Sequence, residues 1–190
     1  MKLQEVANDP KWYSNPCNMG SLPFPLLYSR LPTDWFHLVE LTFMYMGWTR
    51  FSEIWNEVQS LKLRDGISQL YLHGTMGYGK SHLVAALVCL LCHLGKCILY
   101  LPDCRQMLAT PFLYMKSTLL CAFSDPSSSS LHNEIQYLGD STDPNNHLKL
   151  AKQFCSENPG KALYFIVDQM NVLEHELINT DKSMNSMKDR

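Results

Sequence analysis

The chain has 190 residues, 46% hydrophobic and 18% charged, with a formal charge of −2. That composition can bury a sizeable core and excludes wholesale disorder. It also argues against direct nucleic-acid binding over a broad surface, which needs many lysine and arginine contacts to phosphate.

In chain order, residues 1–32 are rich in proline, asparagine and aromatics. Pro10, Pro16, Pro23, Pro25 and Pro32 break any long element, so this stretch is expected to be an extended arm. Its Trp12, Tyr13, Phe24, Leu26 and Leu27 call for burial. Thr33 or Asp34 can cap a helix running to about Met46 and ended by Gly47. A second helix is predicted over Phe51 to Leu61, with Phe51, Ile54, Trp55 and Val58 on one face. Asp65-Gly66 reads as a turn, followed by a strand over Ile67 to His73. A helix then runs from Lys80 to His93 and is closed by Gly95.

Cys97 to Leu101 is a continuous apolar run, as expected of a strand buried on both faces. Pro102-Asp103 starts a helix to about Phe123 that Pro111 kinks or splits. Ser124 to Ser130 is linker-like, and Gly139 to Asn146 is a second loop. Leu148 to Cys155 suggests a helix, Ala162 to Val167 a final strand ending at Asp168, and the chain beyond Asn179 a frayed polar tail. The expected organisation is an N-terminal arm and helical segment (1–62), a nucleotide domain (63–178) and a tail (179–190). Strand, helix, strand, helices, strand is the alternation of a parallel sheet covered by helices.

The motif that carries chemistry is Gly74-Thr75-Met76-Gly77-Tyr78-Gly79-Lys80-Ser81, which fits G-x-x-x-x-G-K-[ST] at every fixed position. A loop that wraps phosphate must turn successive backbone N–H groups inward, and glycines permit both the dihedrals and the close approach. The helix that follows offers unpaired N–H groups and a positive dipole end. Lys80 supplies a point charge for the β- and γ-phosphates, and the Ser81 hydroxyl can ligate magnesium. Asp168, at the end of an apolar strand, is the expected second acid on the magnesium side. Gln169 stands where many ATPases place a glutamate to activate water. An amide can orient water but is a poor base, so nucleotide binding is the firmer expectation and turnover the weaker.

Other signals carry less. Cys89-Leu90-Leu91-Cys92-His93 has the C-x-x-C-H form of a haem attachment site, yet it lies in a helix explained by packing. Cys89, Cys92, His93 and Cys97 span a helix, a turn and a strand and lack a second pair at zinc-site spacing. His73 and His82 flank the loop and could touch phosphate. Asp103 and Arg105 follow the second strand, where strand ends line an open α/β crevice. Trp35, Trp48 and Trp55 are better explained by core packing than by base stacking.

The seven cysteines are odd in number, scattered and in several cases set in apolar runs, which points to reduced thiols in an intracellular compartment, cytoplasmic or nuclear. The N-terminus has no apolar run of the secretory type, and Leu83 to Leu94, the longest apolar stretch, is too short to cross a bilayer. A soluble protein without membrane partners is expected.

The strings YLHGTMGYGKSHL, ILYLPDCRQML and ALYFIVDQMNVLE, preceded by LPFPLLYSRLP, together resemble the P-loop NTPase domain of Crinkler-type effector proteins of fungi and oomycetes. The resemblance extends over roughly residues 20–178. It implies an NTP-binding module for ATP with magnesium, in proteins proposed to act inside a host cell. By that similarity Lys80 and Ser81 are the phosphate and magnesium residues and Asp168 the acid of the second motif. The loop residues Gly74 to Ser81, with His82, make up the expected nucleotide-binding set, and Lys80, Asp168 and Gln169 the expected catalytic one.

The chain shows neither the ubiquitin-like header nor the nuclease-like C-terminal domain that many such proteins carry, and only three strands are evident. The expected fold is therefore an incomplete P-loop NTPase-like three-layer sandwich, preceded by an aromatic-rich segment, with a partner protein or further domain supplying the rest. Alternatives are a module that holds nucleotide without turnover and, less supported, a small-molecule phosphotransferase.

Overall fold

A computed structural model describes residues 8–26, 32–61, 69–74, 77–124, 129–137, 145–146, 149, 152–153, 156 and 162–170. It is a mixed α/β structure with a small parallel sheet, and no helix among the described residues is long and apolar enough to cross a membrane.

The N-terminal segment is more ordered than an extended arm. Helix α1 (Pro10–Ser14) starts with Asp9, whose side chain accepts the Lys11 N–H, and with proline at the position where a missing N–H costs nothing. Strand β1 (Met19–Pro23) follows. The helix expected from Thr33 or Asp34 to Met46 is replaced by a hairpin of β2 (Leu38–Val39) and β3 (Thr42–Met46). Glu40 and Leu41 turn it, both with positive φ (48° and 63°), the twist that a two-residue hairpin requires. Phe43 and Tyr45 point into the core while Thr42, Met44 and Met46 alternate outward, a period of two that overrides the helical interpretation. The three strands form an antiparallel sheet in the order β1-β3-β2.

Helix α2 (Arg50–Ser60) buries Phe51 and Val58, and Ile54 and Trp55 pack beside them, as the spacing predicts. Tyr13 stacks on Phe51 with ring centroids 4.9 Å apart, and the Tyr45 hydroxyl donates to the Tyr13 carbonyl at 2.9 Å. These contacts pin α1 to α2 and β3.

Helix α3 (Lys80–His93) is apolar almost all round and is buried accordingly, with Leu83 and Ala85 to Leu91 all in the core. It packs on β1 on one side and on β4 (Cys97–Leu101) on the other. Strand β4 pairs in parallel with β5 (Leu163–Val167), Cys97 opposite Leu163 and Leu101 opposite Val167. Ile98 and Tyr100 face the α3 side. Leu99 faces a second cluster with Leu119, Leu120, Phe123, Leu131 and Ile135. That cluster belongs to α5 (Pro111–Ala122), the residue after it, and α6 (Ser129–Tyr137). Strand β4 is thus covered on both faces, as its unbroken apolar run predicts.

The expected helix from Asp103 to Phe123 is split at Pro111 into α4 (Cys104–Ala109) and α5. Proline there opens the second helix at a position where no N–H is needed. The strand expected over Ile67 to His73 is not formed in its described part. Gln69 to His73 pair with no strand among the described residues, and Leu70, Tyr71 and Leu72 are exposed. The Tyr71 and His73 rings stack 6.1 Å apart, and Tyr71 bonds the Gln69 side chain. Side chains two apart share a face only on extended backbone, so the chain is strand-like but lacks a neighbour. The Asp65-Gly66 turn, most of the Gly139–Asn146 loop and of the Leu148–Cys155 helix, and the tail lie outside the described residues, as do Leu27 and part of the Ser124–Ser130 linker.

Candidate functional site

The site lies where α3 begins and the two parallel strands end. Gly79 caps α3 in the left-handed region (φ 68°, ψ 15°), and Gly77 is left-handed as well (φ 85°). An L side chain strains in either conformation, so both turns depend on glycine. Thr75 and Met76 lie outside the described residues. Tyr78 stands at the exposed tip.

Lys80 folds back over the loop. Its Nζ donates to the Gly74 carbonyl at 2.9 Å, and its side chain lies so close that a Cβ on Gly74 would sit 3.6 Å from its Cδ. The ammonium is thereby tied to the residue that opens the loop.

Ser81, the next residue, lies near the Asp168 carboxyl, close enough for its hydroxyl to favour the charged form of that group. Asp168 reaches this position because β5 runs parallel to β4 to its last residue, and the Asp168 N–H continues the ladder to the Leu101 carbonyl at 2.9 Å. The Cys104 thiol donates to the Asp168 carbonyl at 3.1 Å and fixes the turn from the other side. Asp168 Oδ1 accepts the Gln169 N–H at 2.8 Å, whereas Oδ2 is buried with no hydrogen-bond partner. Burial raises the pKa of this carboxyl above its ordinary value. The Ser81 hydroxyl, the Gln169 N–H and Lys80 oppose that rise, and the charge of Asp103 adds to it. Gln169 itself adopts φ 61°, an uncommon conformation for a residue with a side chain.

Asp103 is buried beside Asp168 at the end of β4. Its amide donates to the Tyr114 hydroxyl at 2.8 Å, and its Oδ1 accepts the Arg105 N–H at 3.0 Å and the Arg105 Nε at 3.3 Å. Arg105 reaches on to Asp34 (2.9 Å) and lies over the Trp35 ring, 4.4 Å from its centroid. Sequence reasoning placed Asp103 and Arg105 near the site but missed Asp34, which it took for a helix cap, and set Trp35 in the core.

His82 packs against the N-terminal segment. Its ring stacks on Phe36 at 4.5 Å and meets Phe43 edge-on at 5.9 Å. Burial lowers its pKa, against a smaller upward pull from Asp168, which favours neutral imidazole at pH 7. His73 stacks on Tyr71 instead.

An orphaned buried carboxylate oxygen next to a serine hydroxyl is the donor set expected for a magnesium ion that takes most of its ligands from phosphate and water. Among the described residues no cluster of three His, Cys, Asp or Glu side chains is arranged to hold a metal. A phosphate-bound magnesium needs no such cluster. Cys89 is fully buried, and burial pushes the Cys92 thiol up to about 12 and Cys104 up to about 11, so these remain thiols. A separate concavity of about 450 Å³ is lined by Asp9, Lys11, Ser14, Trp55 and Asn56 among others, and shares no residue with the glycine loop.

Compared with protein-family models, curated proteins and solved structures, the chain matches none, so its function must be argued from these side chains.

Proposed function

We propose that this chain binds a nucleoside triphosphate with magnesium through Gly74 to Ser81, as the nucleotide module of a P-loop NTPase-like three-layer sandwich. The observation that carries the proposal is one juxtaposition. Lys80 lies on the Gly74 carbonyl at one end of the glycine loop, and its neighbour Ser81 sits near an aspartate whose second oxygen is buried and unpartnered. The Lys80 ammonium would exchange the carbonyl for β- and γ-phosphate oxygens, a stronger, charge-assisted bond. Ser81 would ligate magnesium directly and Asp168 through water, the ion screening the terminal phosphates. Helices on both faces of β4 support the layered architecture, and the Crinkler-type resemblance favours ATP.

Gln169 favours holding nucleotide over rapid turnover. Its side-chain amide cannot take a proton from water, and its backbone is committed to Asp168. Any hydrolysis is therefore slow, and a switch or scaffold role within a larger assembly fits better than a motor. A phosphotransferase would need an acceptor pocket at the loop, and the concavity at α1 and α2 does not supply one there.

The test is titration of a fluorescent ATP analogue with magnesium into wild type and Lys80→Ala, alongside phosphate release. Wild type should bind, and the variant should lose about tenfold to a hundredfold in affinity, the worth of a charged hydrogen bond. Equal binding by both proteins would refute the assignment. Phosphate release by wild type well above that of Lys80→Ala would replace the holding module with an active NTPase.

A further inference from the structure

The acidic side of the site raises a question of charge. Asp103 and Asp168 lie close enough for the charge of one to raise the pKa of the other, and a triphosphate would bring several more negative charges. Lys80 supplies one cation. Among the described residues a second basic group on this side is Arg105, two residues beyond Asp103 on the first turn of α4 and bonded to that carboxylate through its Nε.

Three consecutive residues locate Arg105 relative to the phosphate loop. Asp34 accepts its terminal nitrogen, Trp35 lies beneath its guanidinium, and Phe36 stacks on His82, the residue after Ser81. Since neighbouring Cα atoms are about 3.8 Å apart, one short segment links the guanidinium to the side chain that follows Ser81 at the start of α3. The Arg105 side chain is 47% exposed and Asp34 64%, so this outer ion pair is wet and weakly held. Its inner anchor, Asp103, is 3% exposed and fixed by Tyr114. An arginine with one firm and one loose carboxylate partner can swing its free end to a third anion at small cost.

We infer that Arg105 is the residue by which this site distinguishes a nucleoside triphosphate from a diphosphate, and that Asp34 competes with the terminal phosphate for its guanidinium. The inference rests on the triphosphate assignment above. Planar guanidinium donors match phosphate oxygens in a fork, and a doubly charged terminal phosphate outbids an exposed carboxylate. Asp103 and Trp35 position the group, and Asp34 sets how much affinity for triphosphate is withheld. A merely structural staple between the N-terminal segment and α4 would use the same bonds but would not discriminate between nucleotides.

The experiment measures ATP and ADP affinity, each with magnesium, for wild type, Arg105→Ala, Arg105→Lys, Asp34→Asn and Lys80→Ala. Arg105→Ala should lose about tenfold or more for ATP and little for ADP, collapsing the ratio between them. Arg105→Lys, which keeps the charge without the fork, should fall between. Asp34→Asn should bind ATP severalfold more tightly with ADP unchanged, and because it is isosteric and exposed it tests the idea even where the arginine variants fold poorly. An ATP-to-ADP ratio that stays at the wild-type value in Arg105→Ala and Asp34→Asn overturns the inference while leaving the phosphate loop intact. Failure of the loop itself shows differently, as nucleotide binding unchanged by Lys80→Ala or absent from wild type, and that overturns both.

Discussion

Replacing Asp168 by asparagine should make the protein more stable and its site worse. The folded-state pKa of this carboxyl is raised, with burial as the first cause. The folded protein therefore binds the proton more tightly than the unfolded chain. Stability must fall as pH rises from the ordinary carboxylate value near 4 through the raised one, and then level off. Asparagine carries no charge at any of these pH values, so the variant lacks that decline. Its Nδ2 inherits the unpartnered place of Oδ2, which returns part of the gain. A buried polar group without a partner costs about 1–3 kcal/mol, so the variant's advantage at pH 7 is the amount by which desolvation of the charge exceeds that. Each kcal/mol of it raises Tm by about 2–4 °C in a chain of this length. Melts followed by circular dichroism from pH 4 to 8 should converge at the acid end and separate above it. Magnesium-dependent nucleotide binding by the same variant should drop by about tenfold or more, as for other outer ligands of a metal. A variant less stable than wild type at pH 7, or a difference that does not change with pH, would show that the buried carboxylate is not held against a desolvation cost.

The remaining predictions concern what supports the site. In Gly47→Ala the new methyl would land on the Asn15 carbonyl, and the Gly47 N–H is tied to Asn18 at 2.8 Å, so the backbone cannot yield. The loss should be at least about 2 kcal/mol in urea melts, and near-wild-type stability would mean the crossing is looser than described. Tyr114→Phe removes the hydroxyl that accepts the buried Asp103 amide and should cost about 1–3 kcal/mol by the same assay. His82→Phe keeps the stack on Phe36 and Phe43 and should leave nucleotide affinity near wild type. A loss of about tenfold there would return His82 to the phosphate set.

The elements legible in the sequence share one property, that a single period explains the whole run. Lys80 to His93 is apolar on every face and ends at a glycine, and Cys97–Leu101 and Leu163–Val167 are unbroken apolar pentamers. The hairpin was not legible because His37 to Met46 satisfies both periods, and because its turn is Glu40-Leu41 rather than the Asn-Gly or Asp-Gly that signals one. The lead-in to the loop misled in another way. Leu70, Tyr71 and Leu72 have strand composition, but a strand also needs a neighbour, which no local pattern encodes. At the site, Lys80, Ser81 and Asp168 followed from motif and strand end, whereas Asp34 did not. Its partner Arg105 is 71 residues away, and a Thr-Asp pair before an apolar run has a local meaning that hides the distant one.

The same residues explain why the N-terminal third belongs to the site's mechanics. The described part of the glycine loop is largely exposed and has little packing of its own, so its placement must come from the helix it opens into. Helix α3 obtains that placement by being clamped twice, by β4 on one side and by the N-terminal sheet on the other, with the Cys89 thiol donating to the Pro23 carbonyl at 3.1 Å. Phe36 and Phe43 then grip His82 one residue beyond Ser81, while Asp34 and Trp35, on the same short segment, hold Arg105. A shift of that segment must therefore move Ser81 and Arg105 together. On the proposed nucleotide reading, coupling of this kind would give the module a route to report its nucleotide state, because the terminal phosphate and Asp34 would compete for one guanidinium.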